Sequence, residues 1–202
     1  KTNRLSGPFP VVLTKLVKLE YLNLSFNNFS GTIPAEIGNW EELKHLYLWK
    51  NQFSGSIPPS IGKLRNLTEL SLGENRLSGE LPKELGQLEN LVTAYLNNNA
   101  FTGQIPNEMT RASNLKYLNL NSNNLSGDLP DELGNWEALE SLLLGSNKIT
   151  GTFPPSIGKM KRLKFLSVFW NKMSGTLPSE LGELENLEWL YLTNNRFSGT
   201  LP

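Results

Sequence analysis

The 202-residue chain contains few residues that could carry out catalysis, and their spacing does not combine them. It has one histidine, His45, and no cysteine, so most of the usual metal ligands and the thiol nucleophile are missing. The carboxylate pairs Glu41–Glu42 and Asp131–Glu132 lie in polar segments typical of solvated turns. Ser113–Lys116 matches Ser-x-x-Lys, but the partner motifs of that enzyme class do not follow. These patterns predict that the chain is not an enzyme and holds no metal or cofactor.

Charge and hydropathy argue against nucleic acid and membranes as partners. The 19 basic and 19 acidic residues give a net charge of zero, which provides no attraction for nucleic acid or an anionic membrane surface. No apolar run approaches the roughly 18–20 residues that are needed to cross a bilayer. We therefore expect this chain to bind no nucleic acid and to make no membrane contact itself.

A period of 24 residues runs through the whole sequence without an insertion or deletion. A glycine follows four residues after each asparagine of the period, from Gly7 to Gly199, and a proline follows seven residues after it, from Pro10 to Pro202. The asparagines are Asn3, Asn27, Asn51, Asn75, Asn99, Asn123, Asn147, Asn171 and Asn195. Since one unit cannot bury its apolar stripe alone, such a repeat predicts a solenoid of stacked coils.

The unit, counted from Leu19, reads LxxLxLxxNxFSGxIPxxIGxWxx. Complete units occupy residues 19–186, and partial units occupy 1–18 and 187–202. We therefore predict a single repeat array over residues 1–202.

The first half of each unit predicts a short β-strand. Leu22 and Leu24 alternate with polar or exposed residues, so both leucines should point into the coil. Asn27 is expected to point inward as well, where its amide would bond backbone groups of the coils above and below.

The second half of the unit predicts turns and a short helical segment. Gly31 and Gly38 are expected at turns that need positive φ. Pro34 should begin a short helical turn from which Ile37 and Trp40 enter the core.

These units resemble the plant-type leucine-rich repeat, whose mark is a Ser-Gly-x-Ile/Leu-Pro segment. The clearest copies are SGTIP at 30–34, SGSIP at 54–58, SGELP at 78–82 and SGTLP at 174–178. The resemblance implies an α/β solenoid, a right-handed leucine-rich repeat superhelix with a concave parallel β-sheet. Members of the family usually carry cysteine-paired caps at both ends. With no terminal caps, this chain is expected to be an excerpt of a longer array.

The resemblance also implies a function. Similar chains are ectodomains of plant receptor-like kinases or receptor-like proteins, which bind a peptide, a hormone or a co-receptor protein on the concave face. The parent protein would then be a single-pass plasma-membrane protein with this part outside the cell. Two alternatives stay open, namely an enzyme inhibitor similar to polygalacturonase-inhibiting proteins and an ice-binding protein.

Function should lie where the units differ and side chains face outward, at the third, fifth, seventh and eighth positions. A first aromatic group comprises Tyr21, Phe26, His45, Tyr47 and Trp49. A second aromatic group comprises Phe165, Phe169, Trp170, Trp189 and Tyr191, with the basic residues Lys172 and Arg196 beside it. Aromatic residues are frequent interface anchors, so we expect these residues to bind a ligand. The alternative is that they serve only β-sheet stability.

One departure from the family pattern bears on the ligand. Several peptide-binding members hold a peptide carboxylate with an Arg-x-Arg pair on a strand, and no outward strand position here is an arginine. A ligand with a free carboxylate is therefore disfavoured.

Four Asn-x-Ser/Thr sequons permit glycosylation if the protein is secreted. They start at Asn23, Asn28, Asn66 and Asn124. Because the repeat itself often produces Asn-Leu-Ser, we expect about half of them to be used. A glycan on Asn23 would lie on the concave face.

Overall fold

Each repeat unit forms one coil that contains up to two short strands and one 3-10 helix, and the computed structural model describes residues 3–200 of the stack. The strands are β1 Ser6–Pro8, β2 Tyr21–Asn23, β3 Asn28–Thr32, β4 His45–Tyr47, β5 Gln52–Gly55, β6 Glu69–Ser71, β7 Arg76–Glu80, β8 Thr93–Tyr95, β9 Ala100–Thr102, β10 Tyr117–Asn119, β11 Ser126–Gly127, β12 Ser141–Leu143, β13 Lys148–Ile149, β14 Phe165–Ser167, β15 Ser174–Gly175, β16 Trp189–Tyr191 and β17 Arg196–Phe197. The 3-10 helices cover Val11–Lys15, Ala35–Asn39, Pro59–Lys63, Lys83–Gln87, Asn107–Arg111, Leu133–Asn135, Pro155–Lys159 and Ser179–Glu183.

The even-numbered strands form the predicted parallel sheet on the concave face. Its eight strands run in the order β16-β14-β12-β10-β8-β6-β4-β2. Each residue pairs with the residue 24 positions away, as Tyr21 does with His45. The odd-numbered strands form a five-stranded sheet and two two-stranded sheets beside it. A leucine-rich repeat solenoid is therefore confirmed, and equivalent positions of neighbouring units lie side by side.

The core lies between the inner strands and the 3-10 helices. Leu46 at the centre of an inner strand is fully buried, and Ile37 within a 3-10 helix is too. Trp40 and Trp136 are also fully buried, and each indole N–H donates to a carbonyl of the preceding coil at 3.1 Å. The two indoles therefore fill the core without leaving a buried polar group unpaired.

The inward asparagines tie each coil to the one before it. Asn51 Nδ2 donates to Leu24 O at 2.9 Å and Leu48 O at 3.1 Å, while its Oδ1 accepts from Phe29 N at 3.0 Å. The same arrangement recurs at Asn75, Asn99, Asn123, Asn147, Asn171 and Asn195. The prediction that each amide bonds the coils above and below is wrong, because each reaches only its own coil and the preceding one.

The two glycine columns serve different purposes. Gly31 has a φ of +76°, so the expectation of a left-handed turn is confirmed there. The same expectation is wrong for Gly38, which is absent from the positive-φ glycines of the described residues. A Cβ at Gly38 would instead lie 2.9 Å from Ser60 Cβ, and one at Gly86 would lie 1.9 Å from Glu108 O. At Gly38 and Gly86 the absence of a side chain therefore lets neighbouring 3-10 helices touch, whereas the unit 91–114 has the buried Thr110 at this position.

Asn123→Ala should destabilise the protein by about 2–4 kcal/mol, because it leaves several buried backbone groups without a partner. Asn123 is 8% exposed and bonds Leu96 O, Leu120 O and Phe101 N. Urea unfolding followed by circular dichroism would measure the loss. Asn124→Ala, at the adjacent residue outside this hydrogen-bond column, is the control and should change stability by less than about 0.5 kcal/mol. Equal effects of both variants would contradict the role of the column.

Gly86→Ala should destabilise the protein by about 2–4 kcal/mol, because its methyl group would overlap Glu108 O and force two coils apart. Gly182→Ala is a matched control at the equivalent position of another coil, where nothing lies within 4 Å of the added Cβ. Thermal unfolding of both variants would test the difference. A Gly86→Ala protein as stable as the control would show that helix contact does not select this glycine.

Candidate functional site

The aromatic residues of the concave sheet remain exposed where the strands present them. Tyr21 is 53% exposed on β2, and Trp189 and Tyr191 are 48% and 45% exposed on β16. They stand at the third and fifth positions of their units, as predicted. Part of this exposure arises because β2 and β16 are the edge strands of the sheet, since Leu190 at an inward position of β16 is itself 43% exposed. The rings on the sheet face remain candidates for a binding surface.

Two fifth-position residues predicted to face outward are nevertheless buried, at Ser71 and Ser167. Ser71 pairs with Tyr47 on one side and Tyr95 on the other. Ser167 lies between Leu143 and Tyr191 in the same way. A small side chain that lies between two larger ones on the neighbouring strands is covered by them. A side chain that points outward from the strand is therefore not always exposed to solvent.

Residues at the eighth position adopt a left-handed conformation that the sequence pattern did not reveal. All eight of them have φ between 50° and 57°, including Lys50, Glu74 and Trp170. Asparagine tolerates this conformation best among non-glycine residues. The only hint of it in the sequence is that two of the eighth-position residues, Asn98 and Asn194, are asparagines. The turn places Trp170 in solvent, where it is 63% exposed.

Two ring pairs of the first aromatic group pack edge to face, whereas His45 and Tyr47 are stacked at 15°. The rings of Tyr21 and Tyr47 are 5.4 Å apart at 61°, and those of Phe26 and Trp49 are 4.5 Å apart at 81°. Lys50 Nζ lies 5.3 Å from the Phe26 ring centroid and 5.9 Å from that of Trp49. These contacts restrict the orientations of the rings.

Tyr47 donates a hydrogen bond from its hydroxyl to the Glu69 carboxylate. Burial raises the pKa of Tyr47, and the hydrogen bond and negative charge of Glu69 raise that pKa further. His45 Nδ1 lies 3.7 Å from the same carboxylate. The negative charge of Glu69 is therefore engaged by residues of the sheet itself.

A groove of about 910 Å³ opens between the walls of the first aromatic group. Its aromatic lining comprises Tyr21, Phe26, Tyr47, Trp49 and Tyr95, and its polar lining comprises Asn3, Asn23, Ser25, Asn27, Ser71 and Asn97. None of these residues is acidic or basic, so the groove suits an uncharged ligand with both apolar faces and hydrogen-bonding groups.

The second aromatic group is arranged differently. Phe165 and Trp189 lie 5.9 Å apart with ring planes within 5°, and Trp189 and Tyr191 lie 6.3 Å apart within 9°. Phe169 is half-buried, because its ring occupies the space above Gly145, where a Cβ would be only 2.4 Å from the ring. Parallel rings and the exposed Trp170 form an open surface at this end of the sheet.

The structure brings the sequence-predicted residues together unevenly. In the first group, Tyr47 and Trp49 line the groove, while His45 does not line it and lies near Glu69. Tyr95 and Asn97 also line the groove but were not predicted, since they belong to a unit two coils further along. The repeat pattern predicts that both side chains face outward, but it does not predict that they line the same groove as residues two coils away.

The remaining predicted residues lie on the surface. Lys172 and Arg196 are exposed, Asn28 and Asn66 are exposed sequon asparagines, and Asn124 is half-buried. Within residues 3–200 no set of three His, Cys, Asp or Glu side chains is placed to hold a metal ion. In the same range no helix combines the length and apolar content that a membrane span requires.

Comparison with protein families gives matches along most of the chain. A model described as "Leucine rich repeat" matches residues 113–173 and 137–197. A second model of the same description matches residues 18–40, 42–64 and 66–88. No curated protein sequence matches the chain.

Several solved structures are similar to this chain. One is the Arabidopsis receptor kinase HAESA in complex with the peptide hormone IDA and the co-receptor SERK1, with a TM-score of 0.94, 36% identity, and 98% of this chain and 33% of that chain covered. The PEPR1–AtPEP1 structure has a TM-score of 0.83 and 31% identity over 99% of this chain and 32% of that one. A plant ice-binding protein has a TM-score of 0.71 and 26% identity over 98% of this chain and 71% of its own. The chain thus spans about a third of the two receptor structures.

Tyr47 should lose part of its raised pKa in Glu69→Gln, because a neutral amide no longer opposes the tyrosinate charge. A pKa raised in the folded state stabilises the protein below about pH 10, the usual tyrosine value, and this stabilisation is lost as pH rises further. Alkaline titration followed by tyrosinate absorbance would measure the shift, and Tyr47→Phe would identify the group. An unchanged titration in Glu69→Gln would contradict the effect of the carboxylate.

Proposed function

The chain belongs to the leucine-rich repeat family, and we propose that it is an extracellular recognition module that binds a peptide, hormone or co-receptor protein on its concave sheet. The parent protein would be a single-pass receptor-like kinase or receptor-like protein at the cell surface. Support comes from the similarity to HAESA, a receptor kinase whose structure contains a peptide hormone and a co-receptor. The fold of such ectodomains is generally non-enzymatic.

The second aromatic group is the observation that carries this proposal. Phe165, Trp170, Trp189 and Tyr191 are 38–63% exposed on the concave side of adjacent coils. Covering such rings on binding would supply much of the affinity of a protein or peptide contact. The nearby Phe169 is already packed on Gly145 and would serve as a fixed base beneath the ligand.

The middle of the sheet offers polar groups to an extended ligand. Asn119 Oδ1 accepts from Asn121 N at 3.0 Å, and Asn121 Oδ1 accepts from Gly145 N at 2.6 Å. Both amide NH₂ groups can still donate to carbonyls of a ligand main chain. Lys172 and Arg196, exposed at equivalent positions of successive units, would contact an acidic side chain of the ligand.

The alternative of an enzyme inhibitor similar to polygalacturonase-inhibiting proteins has less support from the charges. Its concave face would need available acidic residues to meet a basic cleft. Glu69 is engaged by Tyr47 and His45, and Glu74 Oε2 lies 4.0 Å from Lys50 Nζ. Both acidic residues of the concave face thus already have contacts within the sheet, Glu69 with the Tyr47 hydroxyl and Glu74 with the Lys50 ammonium group.

Ice binding is the second alternative, and the likeness to a plant ice-binding protein favours it. Ice recognition calls for flat rows of one small polar residue type. The third-position column here passes from Tyr21 through Glu69 and Ser141 to Trp189, so no such row forms there. Peptide or protein recognition fits the irregular and aromatic surface better.

The combined variant Phe169→Ser, Trp170→Ser and Trp189→Ser should weaken ligand binding at least about tenfold, because each large ring is a candidate anchor. Displayed random 12-residue peptides selected on the wild-type chain would supply the ligands, and affinities would be measured by calorimetry. Val12→Ser is the control, since Val12 is 66% exposed on a 3-10 helix away from the concave sheet. Unchanged binding by the triple variant would remove the second aromatic group from the proposal.

A further inference from the structure

The groove of the first aromatic group is lined by the first asparagine of a glycosylation sequon. Asn23, the first residue of the sequon Asn23-Leu24-Ser25, lines the groove together with Ser25. We propose that Asn23 carries an N-linked glycan whose first sugars fill this groove and close it to other ligands. The inference rests on the extracellular location in the proposed function, and it assigns ligand recognition to the second aromatic group.

The modification is an ordinary transfer from a lipid-pyrophosphate-linked oligosaccharide. Asn23 Nδ2 bonds to C1 of the first N-acetylglucosamine as the bond from C1 to the pyrophosphate oxygen breaks. The lipid pyrophosphate leaves with the electron pair of that bond, and Nδ2 gives up one proton. One N–H remains on the nitrogen.

Glycosylation of Asn23 is compatible with every hydrogen bond that its side chain makes in the described residues. Its Oδ1 accepts from Ser25 N at 2.9 Å, and its Nδ2 donates to the Tyr21 hydroxyl at 3.4 Å. The oxygen is untouched by the reaction, and the remaining N–H can still donate to Tyr21. The side chain is exposed, so the added sugar displaces no core residue.

Aromatic rings flank the attachment point on two sides. Tyr21 stands two residues earlier on β2 and therefore on the same face of the sheet. Tyr47 is the register partner of Asn23 on the neighbouring strand β4, and Trp49 lines the groove further along. The C–H face of a pyranose ring packs well on the electron-rich face of an aromatic ring.

The polar lining matches the other face of a sugar. Ser25 and Asn97 supply hydroxyl and amide groups, which can donate to and accept from sugar hydroxyls and the N-acetyl group. The volume of about 910 Å³ is within the range of roughly 300–1,000 Å³ typical of small-molecule sites. A neutral glycan core meets no opposing charge here, since the groove lining holds no acidic or basic residue.

The covalent tether decides between a glycan and a free peptide as the occupant. A free peptide would enter the groove from dilute solution and lose its translational freedom. A sugar on Asn23 is already inside the groove, so its effective concentration there is far higher. A free ligand of any affinity must therefore compete with a glycan that is covalently attached inside the groove.

The other three sequons lack these surroundings. Asn28 is exposed and accepts a hydrogen bond from the Gln52 amide on Oδ1. Asn66 is exposed, and its Nδ2 donates to Glu41 O at 3.0 Å. Asn124 is half-buried. None of the three lines the groove, so a glycan on any of them would extend into solvent.

The test uses the chain secreted from eukaryotic cells behind an added signal peptide, with high-mannose glycans trimmed enzymatically to one N-acetylglucosamine. Peptide mass spectrometry should find Asn23 modified. NMR should show the N-acetyl methyl group on Asn23 shifted upfield by the ring currents. The trimmed protein should melt about 2–4 °C above the Asn23→Gln variant. Asn124→Gln, at a sequon asparagine outside the groove and outside the inter-coil asparagine column, is the matched control and should leave the melting temperature unchanged.

A second pair of variants tests the aromatic contact. Tyr21→Thr should abolish both the upfield shift and the gain in melting temperature. Tyr117→Thr should preserve both, because Tyr117 occupies the same third position in a coil whose Asn119 begins no sequon. The Tyr-Leu-Asn-Leu segments are identical in the two coils, so the pair isolates the role of the groove.

Three results would overturn the proposal. The first is an unmodified Asn23 in the secreted chain. The second is a glycan on Asn23 with an unshifted methyl signal and no gain in melting temperature. The third is a selected peptide whose binding to the glycosylated chain is lost in Trp49→Ser, since the groove would then be open. These readouts of mass, shift and melting need no ligand, so failure of the peptide selection would count against the proposed function alone.

Discussion

Backbone groups at the turn after each inner strand face a dry interior, and the inward asparagines are what satisfies them. Each amide bonds carbonyls of its own coil and of the preceding coil, and accepts one N–H from the preceding coil, as Asn51 does with Leu24, Leu48 and Phe29. An insertion or deletion between an inner strand and its asparagine would displace the amide and leave buried groups unpaired. The unbroken period of 24 residues keeps the asparagines of neighbouring coils in this alignment along the whole stack.

A fixed period places equivalent residues side by side, and this alignment creates the surface. Tyr21, His45 and Glu69 become neighbours because they share one position in three successive units. Residues at such positions are free to vary, since the core does not use them. Two arrangements of rings result. Edge-to-face contacts build the walls of a groove, whereas near-parallel rings such as Phe165 and Trp189 build an open surface.

The size of neighbouring residues decides where aromatic rings fit on the concave face. Gly145 makes room for the ring of Phe169. Gly73 does the same for Trp49, whose Cδ1 lies 3.2 Å from the position that a Cβ on residue 73 would take. Phe169 and Trp49 thus each pack against a glycine of a neighbouring coil, which leaves room for the ring. The proposed glycan on Asn23 would occupy the groove at one end of the sheet, and the second aromatic group at the other end would remain free to bind a partner.

The sequence by itself determined the repeat length, the parallel inner sheet, the inward direction of leucines and asparagines, and the positions of both aromatic groups. These features depend on local alternation and on a period that is visible in the letters. The tertiary structure alone decided that Asn51 reaches back to one coil, that Gly38 allows helix contact, that Ser71 and Ser167 are covered, and that Tyr95 and Asn97 enter the groove. Each of these depends on the size and approach of residues about 24 or 48 positions away, which meet only after the coils stack.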